Sequence, residues 1–283
     1  MFHLELFSSS NGTSGANTFI QTNYVSAGAV LPAISNGMQV SPNIPFLMAV
    51  AGVGSHMVHI RPQSPSQTSA FYSTLSPNNR GTAFESPPRI WDFSGAPLML
   101  KPTEEFDIFT SQNSGGAETQ YVACLFSDGT IDRNLPGINP ASVSLNPGQI
   151  GHYFTAHATA ATTLSAAAWT QVTPAFDNAL YAGYYAIIGM RVFSATGLFF
   201  RLYPATGPVW RPGGTCVQAY DSLDPVNQRG YQQVVFPQQG WGVWHRFMQN
   251  VPPTVGIFAT SADTAEEFWF DLVYLGPNTI QAI

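Results

Sequence analysis

The 283-residue chain is 45% hydrophobic, carries only 9% charged residues and has a formal net charge of −6. That apolar fraction can bury the core of one large or two medium domains, while the charged share is well under the usual quarter or so. Its cations, nine Arg and the single Lys101, are scattered, which excludes the basic cluster that phosphate-backbone binding needs, and no run of ~20 apolar residues exists to span a bilayer.

Phe2-His3-Leu4-Glu5-Leu6 alternates apolar and polar residues, the pattern of a half-buried strand. Such a strand either pairs within its own domain or, as Phe2 to Phe7, reaches out as an arm to a neighbouring molecule. Residues 1–15 show no basic start and no long apolar stretch, so no secretory signal is expected. Asn11-Gly12-Thr13 then reads as a turn rather than a glycosylation site. Phe46 to Val53 and His56 to Ile60 read as strands. Glu105-Phe106-Asp107-Ile108-Phe109 alternates before a Ser-Gln-Asn-Ser-Gly-Gly turn, and Thr119 to Phe126 is apolar and β-branched up to Ser127-Asp128-Gly129. Cys124 in that run is expected to be a small core hydrophobe, and with Cys216 as the only other cysteine no disulfide framework is supported.

Asn134 to Gln149, with Pro136, Pro140 and Pro147, reads as a linker. The Ala-rich Thr155 to Ala168 is an ambiguous helix, weakened by its threonines. Ile187 to Arg191 and Gly197 to Tyr203 read as a neighbouring strand pair, counterparts of the 46–53 and 56–60 strands. Phe268 to Leu275 closes on Gly276-Pro277-Asn278 and mirrors the 119–126 strand. Prolines fall between the runs, where a missing amide proton harms no ladder.

Four short blocks recur in the same order, at separations of about 140 to 150 residues. Tyr24-Val25-Ser26-Ala27-Gly28-Ala29 returns as Thr163-Leu164-Ser165-Ala166-Ala167-Ala168. Val58-His59-Ile60-Arg61-Pro62 returns as Phe199-Phe200-Arg201-Leu202-Tyr203-Pro204. Ile108-Phe109-Thr110-Ser111 returns as Ile257-Phe258-Ala259-Thr260-Ser261, and Ala117-Glu118-Thr119 as Ala265-Glu266-Glu267. A repeat of this length points to two similar units in tandem. The expectation is an all-β chain: a first jelly-roll domain over 1–135, a linker over 136–149 and a second jelly-roll domain over 150–283. Each half has room for about eight strands, the jelly-roll count.

Chemical motifs are sparse. The chain has no Gly-x-Ser-x-Gly, His-Glu-x-x-His, Cys-x-x-Cys or phosphate-binding loop, and Gly52-Val53-Gly54-Ser55 lacks the third glycine of a nucleotide fingerprint. His56 and His59 fall on opposite faces of a strand, against a shared metal; His152 and His157 read as solvated or core residues. Glu105 and Asp107, next to Glu104, share a strand face and are a start for calcium, though a solvent-facing edge shows the same pattern. Asp128-Gly129-Thr130-Ile131-Asp132 lacks the spacing of a calcium hand and reads as a hairpin turn. Glu266, Glu267 and Asp271 bracket a strand without a visible partner. Phe199, Phe200, Trp210, Trp241, Trp244 and Trp269 gather in the second half, as core or, if exposed, as a sugar-stacking face. No catalytic, cofactor or metal residue is assigned, and no cofactor is expected.

Two tandem β-units carried by these paired blocks, with little charge, resemble the double jelly-roll major capsid proteins of icosahedral viruses and phages, the lineage of adenovirus hexon and of phages with an internal membrane. The resemblance is architectural and covers nearly the whole chain. It implies a non-enzymatic structural virion protein whose homotrimers form pseudo-hexameric capsomers. These would meet neighbouring capsomers and vertex or minor proteins, over an internal lipid membrane in some relatives, without sequence-specific nucleic-acid binding. It places the protein in the virion shell, assembled in the host cytoplasm. Two other readings remain open on the residues alone. One is a carbohydrate-binding tandem β-sandwich on a phage spike or cell surface. The other is a β-sandwich glycoside hydrolase, which needs two carboxylates facing across a cleft, with Glu104 or Glu105 and Asp271 as the best pair.

Overall fold

Every regular element of seven or more residues is a β-strand in the computed structural model, which describes residues 2–11, 15–25, 31–54, 56–65, 90–93, 96–113, 116–129, 153–203, 213–216 and 245–276. The chain forms two compact units, Met1–Gly129 and Thr130–Ile283. The first contains β1 (Phe2–Asn11), β2 (Gly15–Gln21), β3 (Asn23–Tyr24), β4 (Ala33–Ile34), β5 (Gly37–Gln39), β6 (Phe46–Val53), β7 (Met57–Gln63), β8 (Ile90–Asp92), β9 (Leu98–Met99), β10 (Glu105–Gln112) and β11 (Glu118–Ser127). One sheet runs β3-β1-β11-β6-β8, with β9 also on β6; the other runs β2-β10-β5-β4, with β7 on β10.

The second unit contains β12 (Tyr153–Ala160), β13 (Ala168–Val172), β14 (Ala175–Phe176), β15 (Tyr184–Phe193), β16 (Gly197–Tyr203), β17 (Gly213–Thr215), β18 (His245–Met248), β19 (Thr254–Ala259) and β20 (Glu266–Gly276). Its sheets run β14-β12-β20-β15-β18 and β13-β19-β16-β17. Setting aside the two-residue β14, its eight strands are ordered first–last–third–sixth in one sheet and second–seventh–fourth–fifth in the other. The first unit repeats this order with β1-β11-β6-β8 and β2-β10-β7. This crossing between two sheets is the jelly-roll arrangement.

In the first unit both sheets feed one core. Phe7, Val50, Val122, Cys124 and Phe126 come from one, and Met57, Ile60, Phe106 and Ile108 from the other. The Phe106 ring sits edge-on between Phe126 (5.4 Å) and Phe7 (5.9 Å), and each such buried ring contributes roughly 2–3 kcal/mol. Glu5 is fully buried in this unit, accepting a 2.7 Å hydrogen bond from the Tyr24 hydroxyl. Burial, and then the nearby Glu5 charge, push the Cys124 thiol well above its usual range, so Cys124 is an inert core residue, as its sequence context predicts.

The long strands fall where the sequence puts them, and of the two alternatives for Phe2 to Phe7 the structure has pairing within its own unit, β1 lying along β11 for its whole length. Three readings need correction. Thr155 to Ala168 is not helical, because Tyr153–Ala160 pairs with β20 instead. The 187–191 and 197–203 runs are successive but not hydrogen-bonded neighbours, since β15 pairs with β18 and β20 while β16 pairs with β17 and β19. Finally, the first repeat block is mismatched. Tyr24 follows the second strand of its unit, whereas 163–167 precedes the second strand of the other. The proposed linker 136–149 lies outside the described residues.

A bulge fixes the true alignment of the units. On the β7–β10 ladder the register skips Val58, between the pairs Gln112–Met57 and Ser111–His59. On the β16–β19 ladder it skips Leu198, between Ala259–Gly197 and Phe258–Phe199. Matching the two bulges sets Arg61 against Arg201 and Phe109 against Gly256. The sequence blocks therefore found the right strands but were two residues out: Phe258 answers to Ser111, and Pro62 to Leu202. Pro204 is outside the described residues.

Candidate functional site

Three side-chain groups stand out on the sheets. The first is duplicated. The Arg61 guanidinium lies 4.2 Å above Phe19 on β2 and 4.9 Å from Phe109 on β10. Arg201 lies 3.8 Å above Trp169 on β13 and 5.1 Å from Tyr203, whose hydroxyl accepts a 2.8 Å bond from its Nε. The second aromatic partner has changed strands. In the first unit it is Phe109, on the seventh strand. In the second that position is Gly256, and Tyr203 from the fourth strand folds across the vacant space. A Cβ on Gly256 would strike the Tyr203 ring. Gln21 and Gln171 follow the same alignment: Gln21 donates to Asp107 at 2.9 Å, and Gln171 donates to Thr254 at 2.6 Å, the position equivalent to Asp107. Gly256→Ala is expected to displace Tyr203 and cost about 1–3 kcal/mol, measured as a lower urea midpoint with an unchanged slope.

The second group is a polar row on the non-core face of the β12–β20–β15 sheet. Cross-strand register aligns Thr155, Asp271 and Gly189 in one line and His157, Trp269 and Arg191 in the next. Thr155 donates to Asp271 at 2.8 Å, and the buried Arg191 and Asp271 lie 3.7 Å apart. Gly189 leaves the space that the Asp271 carboxylate occupies. His157 packs against Trp269 with ring centroids 4.4 Å apart and the planes tilted by 49°. Its Nδ1 is 2.5 Å from Asp177 and its Nε2 is 3.5 Å from Glu267. His157, Glu267 and Asp271, which the sequence leaves without partners, are thus joined to one another through Trp269, Arg191, Asp177 and Thr155. Glu266, on the opposite face, is almost wholly buried.

Beside this row a pocket of about 810 Å³ is lined by Phe154, Thr155, His157, Asn178, Tyr181, Tyr185, Tyr274 and intervening aliphatic residues. Tyr185 forms its buried floor, and Tyr181 stands 83% exposed at the rim. The loop between them is fastened: Tyr185 donates to the Tyr181 carbonyl and Tyr274 to the Ala182 carbonyl, both at 2.8 Å. Gly183 N donates to the Gln249 side chain at 3.2 Å, and Gln249 N donates back to the Gly183 carbonyl at 3.0 Å. Gly183 has φ 146°, and a Cβ there would strike the Tyr274 ring, so only glycine suits this corner.

The third group is the Glu105–Asp107 pair on β10. Burial, then the Asp107 charge, raise the Glu105 carboxyl above its ordinary range; burial also raises Asp107, against the Gln21 hydrogen bond. Both residues are partly buried and their strand pairs with β5 and β7, so they do not lie on a plain solvent-facing edge. Among the described residues no group of three or more His, Cys, Asp or Glu is placed to hold a metal ion. His59 lies against the Phe19 ring, and the His56 amide donates to the Glu118 carboxylate, so the two histidines have separate neighbours. Glu105 and Asp271 belong to different units. Phe199 and Phe200 are fully buried, as a core reading requires. His152, Trp210, Trp241, Trp244 and Asp132 lie outside the described residues.

No protein-family model matches the chain, and no curated protein matches it in sequence. Among solved structures it is similar to the crystal structure of the major capsid protein P2 from Bacteriophage PM2. That match has 12% identity, covers 99% of this chain and 100% of that one, and has a TM-score of 0.25. At that TM-score the likeness carries no weight, and the architecture rests on strand order and register alone.

Proposed function

We propose that this chain is a shell-building virion protein of the double jelly-roll kind, three copies of which make a pseudo-hexameric capsomer. The observation that carries this reading is one strand order shared by two successive units, eight strands in the second and seven matching ones among the described residues of the first, down to a β-bulge and an arginine held over aromatic rings. A chain with two similar units places six of them around a three-fold ring, and head-to-tail contacts around that axis close without open ends. The low charge supports extensive burial between copies, because interface cores are depleted in charged residues. In this reading neighbouring capsomers and vertex or minor proteins are the partners, and the virion shell is the location. An internal lipid layer is compatible with it, and no sequence-specific nucleic-acid contact is assigned.

The test is the mass of the purified protein by light scattering, together with negative-stain microscopy. The expected result is a particle of three times the 30.6 kDa chain mass, with a six-lobed outline, or larger shells built from it. A monodisperse monomer at high concentration would sink the reading, because obligate contacts of this kind bury thousands of Å².

A further inference from the structure

The geometry points to the pocket of the second unit as a binding site for a neutral saccharide of one or two pyranose rings, an inference that does not depend on the shell-building reading. Its volume of about 810 Å³ lies within the range of sites that enclose small organic ligands. Two of its tyrosines, Tyr185 and Tyr274, spend their hydroxyls on the carbonyls of Tyr181 and Ala182. They therefore fix the rim and offer carbon surface, not hydroxyls, to the cavity. Tyr181 presents an almost fully open ring at the mouth. A pyranose has one face of C–H groups that lies flat on such a ring, while its edge of hydroxyls needs donors and acceptors. Those come from two other lining residues, Asn178 and Thr155. The exposed Asn178 amide supplies both. The Thr155 hydroxyl, whose proton goes to Asp271, is left as an acceptor.

Charge narrows the class. The groups around the pocket's polar end are Asp177, Glu267 and Asp271, set against Arg191 and His157. Arg191 and His157 already face these carboxylates, so the site holds no spare positive charge for an anionic ligand. The rim is also ordered before binding. Two tyrosine hydroxyls and the reciprocal Gly183–Gln249 bonds hold the 178–183 loop, so little conformational entropy is lost when a ligand enters. An uncharged, disc-shaped, hydroxyl-edged molecule meets all of these conditions.

The test uses the full chain and a panel of glucose, galactose, maltose, cellobiose and lactose, with glucuronic acid as the anionic member. Saturation-transfer NMR should mark the ring C–H protons of at least one neutral sugar, at millimolar affinity. Tyr181→Ala should weaken that binding about tenfold, the loss of one aromatic stacking contact. Because Tyr181 is exposed, this variant should keep the parent melting temperature. Asn178→Ala should weaken binding with the same unchanged fold. Gly183→Ala, which dislodges the rim, should remove binding altogether. Three results would overturn the proposal: no transfer to any neutral sugar, equal binding by the Tyr181→Ala variant, or preference for glucuronic acid over its neutral counterpart.

Discussion

Arg201→Ala is expected to lower the stability of the second unit by about 3 kcal/mol, whereas Arg61→Ala at the equivalent place in the first unit should cost about 1 kcal/mol. Arg201 is fully buried, its guanidinium lies 3.8 Å above Trp169, and its Nε bonds the Tyr203 hydroxyl. Removing it opens a cavity, strips the cation from a desolvated ring and leaves a tyrosine hydroxyl to find another partner. Arg61 is only partly buried, so water can replace what it loses, and its long stem contributes mostly packing. The two variants start from one alignment and differ in burial, which makes their difference the informative quantity. Hydrogen exchange on peptides from β13, β16 and β19 reports the second unit separately, avoiding the assumption that two units unfold as one. Equal losses in the two variants would mean that burial is not what makes Arg201 matter.

The same two arginines show what a sequence can and cannot disclose. Phe2 to Leu6, Glu105 to Phe109 and the long 119–126 and 268–275 runs were legible as strands because alternation and apolar length are local properties. The duplication was legible too, but two residues out of register. Sheet faces repeat every two residues, so a shift of two keeps every inward residue inward and leaves no penalty in the pattern. Only the bulges at Val58 and Leu198 settle the matter, and a bulge is a feature of pairing between strands that the residues of one strand do not reveal. The polar row was hidden for a related reason. Asp271 meets Arg191 and Thr155, which lie 80 and 116 positions away along the chain, and nothing in any one segment announces the meeting. The pocket depends on Tyr181 and Asn178, in a loop with no motif. Its nearest signal is Gly183, where any side chain would strike the Tyr274 ring. The exchange of Phe109 for Tyr203 as second ring partner was invisible for the same reason, because it compensates across strands.

Replacing Glu266 by Gln should remove a pH dependence of stability and leave the protein more stable above neutrality. Glu266 begins β20 almost wholly buried, and among the described residues its carboxyl oxygens have no hydrogen-bond partner beyond the residue's own backbone amide. Burial first, and then the charge of Asp263, push its pKa from 4.5 to about 7. The folded state therefore holds this proton more tightly than the unfolded chain does. Its contribution is fully present below pH 4.5 and is lost as pH rises through about 7, after which the ionised group stays a fixed burden. With partial solvent screening, that burden is about 2 kcal/mol. His245 runs the opposite way. Burial lowers it from 6.5 to about 4, so its contribution is present above pH 6.5 and is lost as pH falls towards 4. The parent protein is squeezed from both sides, whereas Glu266→Gln keeps only the acid limb. Urea unfolding at a series of pH values from 4 to 8 should show the parent and variant converging below pH 4.5 and separating by about 2 kcal/mol above pH 7. Parallel curves with no such separation would show that Glu266 is already ionised, and adequately solvated, in the folded unit.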